Sequence, residues 1–324
     1  MKRKWQLFVI LSICLTCILF AQAAQDAYPS RPVEILVGYA QGGGADLAAR
    51  ALAESSKKFL GQEIVVINKP GGGGRVAMGL VSKAKPDGYT LGATTDSCLV
   101  IAPHMEKVPY KPMEDFTFIT QFTTMELVVA VKNDSPFKTF KEMMEFARAN
   151  PNKLTISTVG VGTVNHVAFA ALAAREKLEI SLVPYNAASQ TVTSLLGGHV
   201  MVGSCGSSGI APYIHAKSIR LLAVFADKRL NLYTDVPTLK ELGYPLDFSS
   251  MHLISAPKSL DETAMNKLTD AFKKGMDTPD YKNTLKGMDT YEPRPAMGEE
   301  LRQKLIQRNK KNAEVFSVLG GKKN

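Results

Sequence analysis

Two glycine-rich segments, residues 38–46 and 157–166, have the clearest potential for ligand chemistry in this chain. Each follows a short apolar run typical of a strand and precedes a run with helical periodicity. The first turn of a helix exposes unpaired backbone N–H groups and about half a positive charge. Glycine lets a ligand come close to that backbone because it has no Cβ atom. The two segments therefore predict anion-binding turns at the starts of two helices.

Other kinds of site find less support in the sequence. Neither segment fits the dinucleotide pattern G-x-G-x-x-G, and the phosphate-loop pattern G-x-x-x-x-G-K-[ST] is absent. The histidines have no H-E-x-x-H spacing, so we predict no metal site and no cofactor. His166 could donate to a ligand, but an ordinary structural histidine explains it equally well. Asp46 either shapes the first loop by pairing with Arg50 and local N–H groups, or is a plain helix-start acid.

The elements that would position these segments alternate along the chain. Apolar runs predict strands at 33–37, 64–67, 90–94, 127–131, 154–157, 182–183 and 221–225. Helical periodicity predicts helices at 46–59, 76–83, 140–149, 164–176, 189–196, 261–276 and 298–316. Strands that alternate with helices indicate an α/β fold with mostly parallel sheets. In such sheets, ligands bind beyond the carboxyl ends of the strands.

Residues 1–23 have the three-part plan of a secretory signal peptide. Basic residues at 2–4 precede an apolar run at 7–20, and Ala-Gln-Ala at 21–23 fits a small-residue cleavage site. The apolar run is shorter than the roughly 20 residues that span a bilayer. We therefore predict export, with an uncleaved N-terminal anchor as the alternative.

Length and composition favour a folded protein of two domains. The chain has 324 residues, of which 45% are hydrophobic and 21% are charged, and its formal net charge is +9. This composition excludes a disordered or collagen-like chain, and the charge suggests an anionic partner. We predict a discontinuous first domain, residues 24–124 and 229–324, and an inserted second domain, residues 125–228. Beyond the leader only Cys98 and Cys205 remain; export permits a disulfide between them, but two free thiols are favoured.

Short motifs along the chain resemble those of one protein family. The motifs are YPSRP at 28–32, GGxxDxxAR at 42–50, NKPGGGG at 68–74, PDGYTL at 86–91, VPY at 183–185, LLGG at 195–198 and DVPT at 235–238. Each motif alone is weak, but their order and spacing together are specific. The chain resembles the periplasmic substrate-binding proteins of tripartite tricarboxylate transporters, also called the Bug family, over nearly all its length after the leader.

The resemblance implies a type II-like, two-domain periplasmic binding protein fold with a hinge and an interdomain ligand cleft. It also implies a monomer in the periplasm, with no nucleic-acid partner. Such a protein captures a small carboxylate and delivers it to the membrane permease subunits of a tripartite tricarboxylate-type transporter. The implied ligand-binding residues are Tyr39, Ala40, Gln41, Gly42, Gly43, Asp46, Thr95, Ser97, Thr158, Gly162, Thr163, Asn165, His166, Asn186, Ser189 and Cys205.

One alternative function is an exported hydrolase or lyase that uses His166 as a base on a small carboxylate. The absence of a recognisable nucleophile–base–orienter set, including any G-x-S-x-G motif, counts against this alternative.

The sequence departs from the family pattern at several loop positions. The family often has Pro-Phe where this chain has Gly38 and Tyr39, and a small residue in place of Gln41. Its usual Lys-Gly after Pro-Tyr is Asn186 and Ala187 here. Because Gln41 and Asn186 fall in predicted cleft loops, the identity of the carboxylate does not carry over from the family.

Overall fold

A computed structural model describes residues 28–185, 187–206, 210–226, 228–244, 248–288, 291–292 and 295–318. The predicted signal peptide, residues 1–23, lies outside the described residues. Among the described helices, none is both long enough and apolar enough to cross a membrane.

The strands form two sheets. In chain order they are β1 (Val33–Val37), β2 (Ile64–Asn68), β3 (Thr90–Thr95), β4 (Phe116–Met125), β5 (Leu127–Lys132), β6 (Thr155–Val159), β7 (Ser181–Tyr185), β8 (Val202–Cys205), β9 (Ile219–Phe225), β10 (Ser250–Pro257), β11 (Tyr291–Glu292) and β12 (Ala296–Met297). The first sheet has the order β11-β4-β10-β3-β1-β2, with β12 also paired to β4. The second sheet has the order β7-β6-β8-β5-β9.

The helices cover these sheets. They are α1 (Gly44–Leu60), α2 (Arg75–Val81), α3 (Ser97–Val100), α4 (Phe140–Ala149), α5 (Val164–Glu176), α6 (Ala188–Leu196), α7 (Ala211–His215), α8 (Glu262–Asp277), α9 (Pro279–Lys286) and α10 (Gly298–Val318). Two short 3-10 turns lie at Gly72–Gly74 and Ala102–His104.

Local sequence explains where the helices stop and which face they bury. Helix α1 buries Ala48 and Leu52. It ends because Gly61 adopts a left-handed φ of 79° and returns its N–H to the Lys57 carbonyl. Full burial of a leucine side chain stabilises the fold by about 1.5–3 kcal/mol, so this face fixes the helix on the first sheet.

Both sheets share apolar packing. One cluster of buried side chains includes Leu36 and Phe118 from the first sheet and Val129 and Phe225 from the second. A separate cluster joins the first sheet to α1 and α8, and another covers the second sheet beside α6. The shared cluster places the two sheets in contact beside the segments that connect them.

The predicted α/β class is confirmed, but the sheets are mixed instead of mostly parallel. β1 pairs in parallel with β2 and β3, and β6 pairs in parallel with β7 and β8. β10 is antiparallel to both β3 and β4, and β5 is antiparallel to both β8 and β9. The antiparallel part arises because β10 returns to the first sheet from the second.

The helices at 140–149 and 164–176 have the predicted bounds. Strands β4, β8, β10, β11 and β12 and helices α3, α7 and α9 were not predicted.

The chain crosses between the sheets twice. The first crossing is at Glu126, a buried residue between β4 and β5. The second lies between the end of β9 and the start of β10. Within that segment, Thr238 forms a parallel bridge with Val224, and Leu230 packs on the second sheet. The early part of the return segment is therefore attached to the second sheet.

Candidate functional site

A cavity of about 70 Å³ lies between the two sheets, where strands β1, β3 and β6 end. We call it the cleft. Its lining includes nine of the residues predicted from the sequence: Tyr39, Ala40, Gln41, Gly43, Thr95, Ser97, Thr163, Asn165 and Ser189. The prediction that two glycine-rich turns meet at one site is consistent with this geometry, since both turns contribute to the lining.

Three helices begin at the cleft, and none has a side-chain cap. The N-cap residues of α1, α5 and α6 are Gly43, Thr163 and Ala187, and no side chain of the three caps its helix. Thr163 has a suitable hydroxyl, but that hydroxyl donates to the Gly160 carbonyl at 3.0 Å. First-turn residues of all three helices line the cleft: Gly44, Ala45, Val164, Asn165, Ala188 and Ser189.

Comparable helices that begin elsewhere do have side-chain caps. Thr139 accepts from the N–H of Glu142 at the start of α4. Asp261 and Thr278 cap α8 and α9 in the same way. Among described helices of eight or more residues with a described N-cap, only those that begin at the cleft lack side-chain caps. Their first-turn N–H groups and positive dipole ends therefore point to an anion as the occupant.

The side chains around the cleft are neutral. Among the described residues that line it there is no lysine, arginine, aspartate or glutamate. Hydroxyl groups come from Thr95, Ser97, Ser189 and Ser250, and amide or imidazole groups come from residues such as Asn165 and His252. The site can therefore hold negative oxygen only through backbone N–H groups and neutral polar side chains.

The loop between β1 and α1 is held by Asp46, which does not line the cleft. The Asp46 carboxylate accepts the Gly42 N–H at 2.9 Å, both oxygens accept Arg50 Nε at 3.0 Å, and Asn68 Nδ2 donates to it at 2.8 Å. Burial alone would raise the pKa of Asp46, but the hydrogen bonds from Arg50, Gly42 and Asn68 outweigh burial and lower it. Asn68 also donates to the Tyr39 carbonyl. The loop-shaping interpretation of Asp46 is therefore the one that fits the geometry.

Tyr39 ties the same loop to the end of β3. Its hydroxyl lies 2.6 Å from Thr95 Oγ1 and donates to the Gly73 carbonyl at 3.2 Å. Burial raises the pKa of Tyr39, so the phenol stays protonated. A Cβ atom at Gly38 would lie 2.6 Å from the Gly74 Cα, so these two backbones need glycine to pack together. Gly38 and Tyr39, where the sequence departs from the resembling motifs, thus both contact the glycine turn at 72–74.

The two sides of the cleft touch directly. The N–H of Val164, at the start of α5, donates to Ser97 Oγ at 3.2 Å. The loop that precedes α5 also packs on the other side, since a Cβ at Gly162 would lie 3.3 Å from Arg75 Nη1 and from Met105 Sδ. Gly162 has a φ of 75° and does not line the cleft. Its role in the structure is therefore the contact between the two sides.

The floor of the cleft was missed by sequence reasoning. It is formed by Ser250 and His252 of β10 with Met125 of β4, and Gly206 follows β8 beside it. The Ser250 hydroxyl is fully buried and has no hydrogen-bond partner among the described residues. A Cβ at Gly206 would lie 2.0 Å from Met125 Sδ, so Met125 rests on this glycine. One sequence signal could have indicated this floor: Ser250 and His252 are polar residues at alternate positions in the otherwise mostly apolar run at 250–257.

His252 is neutral at ordinary pH. It is 2% exposed, and its ring packs edge-on against Phe122 with 6.0 Å between the ring centroids. Burial lowers the pKa of His252 to about 3. It can therefore offer only a neutral imidazole to the cleft.

Five of the other predicted site residues do not line the cleft. Gly42, Asp46, Thr158, Gly162 and His166 lie outside its lining. Thr158 is fully buried near the end of β6, and burial lowers the pKa of His166. Asn186 lies outside the described residues, and Cys205 is described only as the last residue of β8. Cys98 is a free, buried thiol whose pKa burial raises to about 12.

Comparisons with known proteins agree with this geometry. Residues 48–317 match the family model described as tripartite tricarboxylate transporter family receptor. A protein of Cupriavidus necator, named UPF0065 protein in gbd 5' region, is 36% identical over 300 residues, which are 93% of this chain and 91% of that protein.

Two solved structures have the same fold. One, described as a periplasmic transporter, has 30% sequence identity and a TM-score of 0.86 and covers 91% of this chain and 99% of its own. The periplasmic binding protein BugD has 29% identity and a TM-score of 0.85, with 92% of this chain and 100% of its own covered.

Proposed function

This chain belongs to the tripartite tricarboxylate transporter receptor family, and from that membership we propose that its cleft binds a small carboxylate. The members of this family are solute-binding receptors of the periplasm. We propose that this chain delivers its ligand to the permease subunits of a transporter of that class. We also propose that it acts as a periplasmic monomer, without a cofactor and without chemical conversion of the ligand.

The convergence of three uncapped helix starts supports a carboxylate as the ligand. A micromolar site needs about 8 kcal/mol of net binding free energy at the 1 M standard state. A hydrogen bond to a charged group contributes roughly 1.5–3 kcal/mol. Four to six such bonds would meet this requirement after association costs of several kcal/mol, so no cationic side chain is needed.

The size of the cleft supports a small ligand. Its volume of about 70 Å³ is far below that of sites for drug-sized molecules, which occupy roughly 300–1,000 Å³. A mono- or dicarboxylate with a short carbon chain fits this scale. The apolar surface of Met125, Val159 and Ala188 would contact that chain.

The proposed ligand contacts come from three groups of residues. The two glycine-rich turns supply Tyr39, Ala40, Gln41 and Gly43, and the residues from Thr163 to Asn165. We add the floor residue Ser250, because a buried hydroxyl without a partner is costly unless a ligand satisfies it. Contacts from Asn186 and Cys205 stay predictions, and Asp46 and Gly162 are proposed to act by positioning loops.

We propose that the two domains close about the two crossings of the chain. We place the first crossing near Thr124, at the boundary proposed from the sequence. We place the second between Leu239 and Ser250 instead of near Lys228, because Thr238 and Leu230 pack on the second sheet. The hydrolase or lyase alternative is not proposed, because His166 does not line the cleft.

A thermal-shift comparison of carboxylates with their uncharged amides tests the ligand class. A carboxylate at about 100 times its Kd should stabilise the protein by about 2.7 kcal/mol. For a chain of this size, that raises Tm by roughly 4–8 °C, while the matching amide should leave Tm unchanged. Stabilisation by amides or sugars, with no response to a broad carboxylate panel, would contradict the proposal.

The site itself is tested by calorimetry with Ser250→Ala. Loss of one hydrogen bond to the charged carboxylate, which contributes roughly 1.5–3 kcal/mol, should weaken the best carboxylate by about tenfold or more in calorimetry. Ser255→Ala is the matched control, because Ser255 is equally buried on the same strand and does not line the cleft. Equal affinities of the two variants would place the ligand away from the floor.

A further inference from the structure

A second cavity, of about 420 Å³, lies beside the cleft. One side of it is formed by residues 70–73 and Arg75, which follow β2, and the other by residues 159–161, at the end of β6. Its lining therefore comes from the sides of both sheets, as the lining of the cleft does. Pro70 and Val161 of this lining are exposed, so the cavity reaches the surface. We call it the outer cavity.

Two residues separate the outer cavity from the cleft. Tyr39, which follows β1, and Val159, the last residue of β6, line both cavities, and no other described residue does. A residue that lines two neighbouring cavities lies between them. Tyr39 and Val159 therefore form a partition, with one member from the side of each sheet.

Tyr39 is a fixed member of this partition. Its hydroxyl donates its single proton to the Gly73 carbonyl at 3.2 Å, so in the contact of 2.6 Å with Thr95 Oγ1 the threonine is the donor. At the other end of the residue, Asn68 Nδ2 donates to the Tyr39 carbonyl at 3.0 Å. The ring cannot move aside without breaking the hydrogen bonds of its hydroxyl, so a ligand in the cleft meets a fixed wall.

The two cavities offer different surroundings to a ligand. First-turn residues of three uncapped helices line the cleft, which favours the acid group there. The outer cavity is lined by glycine backbone and by apolar surface of Pro70, Val161 and Tyr185. Arg75 is its one charged residue among those described, and it pairs with Glu106 at 2.8 Å. Without the partition, a ligand whose acid group lies in the cleft would extend its carbon chain into the outer cavity.

We propose that Tyr39, together with Val159, sets the maximum chain length of the carboxylate that the cleft accepts. The inference rests on the proposed function of the cleft. A short carboxylate ends against the Tyr39 ring, whereas a longer one would have to displace a ring that two hydrogen bonds hold. Tyr39 is therefore a specificity-determining residue that acts by excluding longer ligands.

Calorimetry with two pairs of probes tests the length limit: propionate against octanoate, and succinate against suberate. The wild type should bind the short member of at least one pair, and it should bind the long member of that pair at least about tenfold more weakly. Tyr39→Ala should raise the ratio of long-chain to short-chain affinity by about tenfold or more, because each methylene group that leaves water for the outer cavity strengthens binding about fourfold. Loss of a merely structural side chain would weaken both members alike and leave the ratio unchanged.

Three further variants separate the partition from its surroundings. Tyr39→Phe keeps the ring and should keep the wild-type ratio. Val159→Ala widens the partition from the other side and should raise the ratio about threefold or more, and it decides the question if Tyr39→Ala does not fold. Val161→Ala is the matched control, because it removes the same atoms from a residue that lines only the outer cavity, and it should leave the ratio unchanged.

Equal affinity of the wild type for both members of a pair would overturn the proposal. An unchanged ratio in folded Tyr39→Ala, or equal ratios in Val159→Ala and Val161→Ala, would overturn it as well. In each of these cases a short carboxylate still binds, so the proposed function of the cleft stands. Absence of binding of either pair to the wild type would also overturn the inference, and the thermal-shift panel then decides separately on the proposed function.

Discussion

At the scale of single residues, the cleft combines an anion-binding geometry with a neutral, buried floor. Burial of His252 in this floor makes the stability of the folded state depend on pH. The folded protein keeps the imidazole uncharged, with its pKa at about 3, whereas in the unfolded chain it titrates near 6.5. Below pH 6.5 the unfolded state therefore binds a proton that the folded state does not bind, and acid favours unfolding.

We accordingly predict that His252 contributes to acid sensitivity. Stability is fully present above pH 6.5 and falls as the pH drops towards 3, by roughly 2–4 kcal/mol between pH 6.5 and 4 from this residue. His252→Gln removes the titration, so urea unfolding of the variant should depend less steeply on pH over this window. A slope equal to that of the wild type would contradict a neutral, buried His252. Because the pKa of His166 is also lowered, a smaller dependence should remain.

At the scale of elements, whether a helix has a side-chain cap depends on whether it starts at the cleft. The helices that start at the cleft lack side-chain caps, whereas α4, α8 and α9 are capped. An uncapped start costs about 1 kcal/mol relative to a capped one, but only about a few tenths of a kcal/mol where the N-cap is glycine, as at Gly43 of α1. The hydrogen bonds of Asp46 with Gly42, Arg50 and Asn68 stabilise the loop before α1 and offset this cost. Because Asp46 lies outside the lining of the cleft, they do so without placing a charge there.

Asp46→Asn should therefore destabilise the loop and the ligand site together. The amide NH₂ group of the new side chain cannot accept a hydrogen bond, so either Asn68 Nδ2 or the Gly42 N–H would lose its acceptor. The ion pair between Asp46 and Arg50 would also be lost. We expect a loss of roughly 2–3 kcal/mol in urea unfolding, reduced from the value for a fully buried pair because Arg50 is 40% exposed. Ligand affinity should fall as well. Glu54→Gln, which removes an exposed pair with Lys57 on the same helix, serves as control. Asp46→Asn unfolding at the wild-type midpoint would show that the network is dispensable.

The sequence predicts the turns of the cleft better than its floor. Glycines between an apolar run and a helical run are a local signal, and α5 begins at the predicted residue for that reason. The floor depends on β10, which pairs with β3 and β4 across long stretches of chain, so no local pattern placed it. Gly162 was predicted as a ligand contact because it lies in the second glycine-rich segment, but its position against Arg75 and Met105 is a tertiary property.

At the scale of the whole molecule, the two domains meet across the cleft. The bond from the Val164 N–H to Ser97 Oγ joins the first-sheet side to the start of α5. It occupies one first-turn N–H and holds the remaining ones near the opposite loop. The closed arrangement is thus partly built from the protein's own contacts, which lowers what the ligand must contribute to closure.

Ser97→Ala tests this contact. Loss of a neutral hydrogen bond of about 1 kcal/mol should shift the unliganded protein towards open forms and weaken the ligand roughly fivefold. Small-angle X-ray scattering of the unliganded variant should show a larger radius of gyration than the wild type, and saturating ligand should remove the difference. Ser255→Ala should scatter like the wild type. An unchanged radius in Ser97→Ala would mean that the bond does not govern closure.

The central position of β10 has a consequence for the order in which the chain can fold. The second sheet uses strands from one continuous stretch, residues 127–225, so it can be completed as soon as that stretch is available. The first sheet cannot, because β3 and β4 pair only through β10, which begins at Ser250. Strands β1, β2 and β3 pair with one another, but they cannot join β4 until β10 is available. The cleft is the last feature to form, since its floor arrives with the strand that joins the two halves of the first sheet.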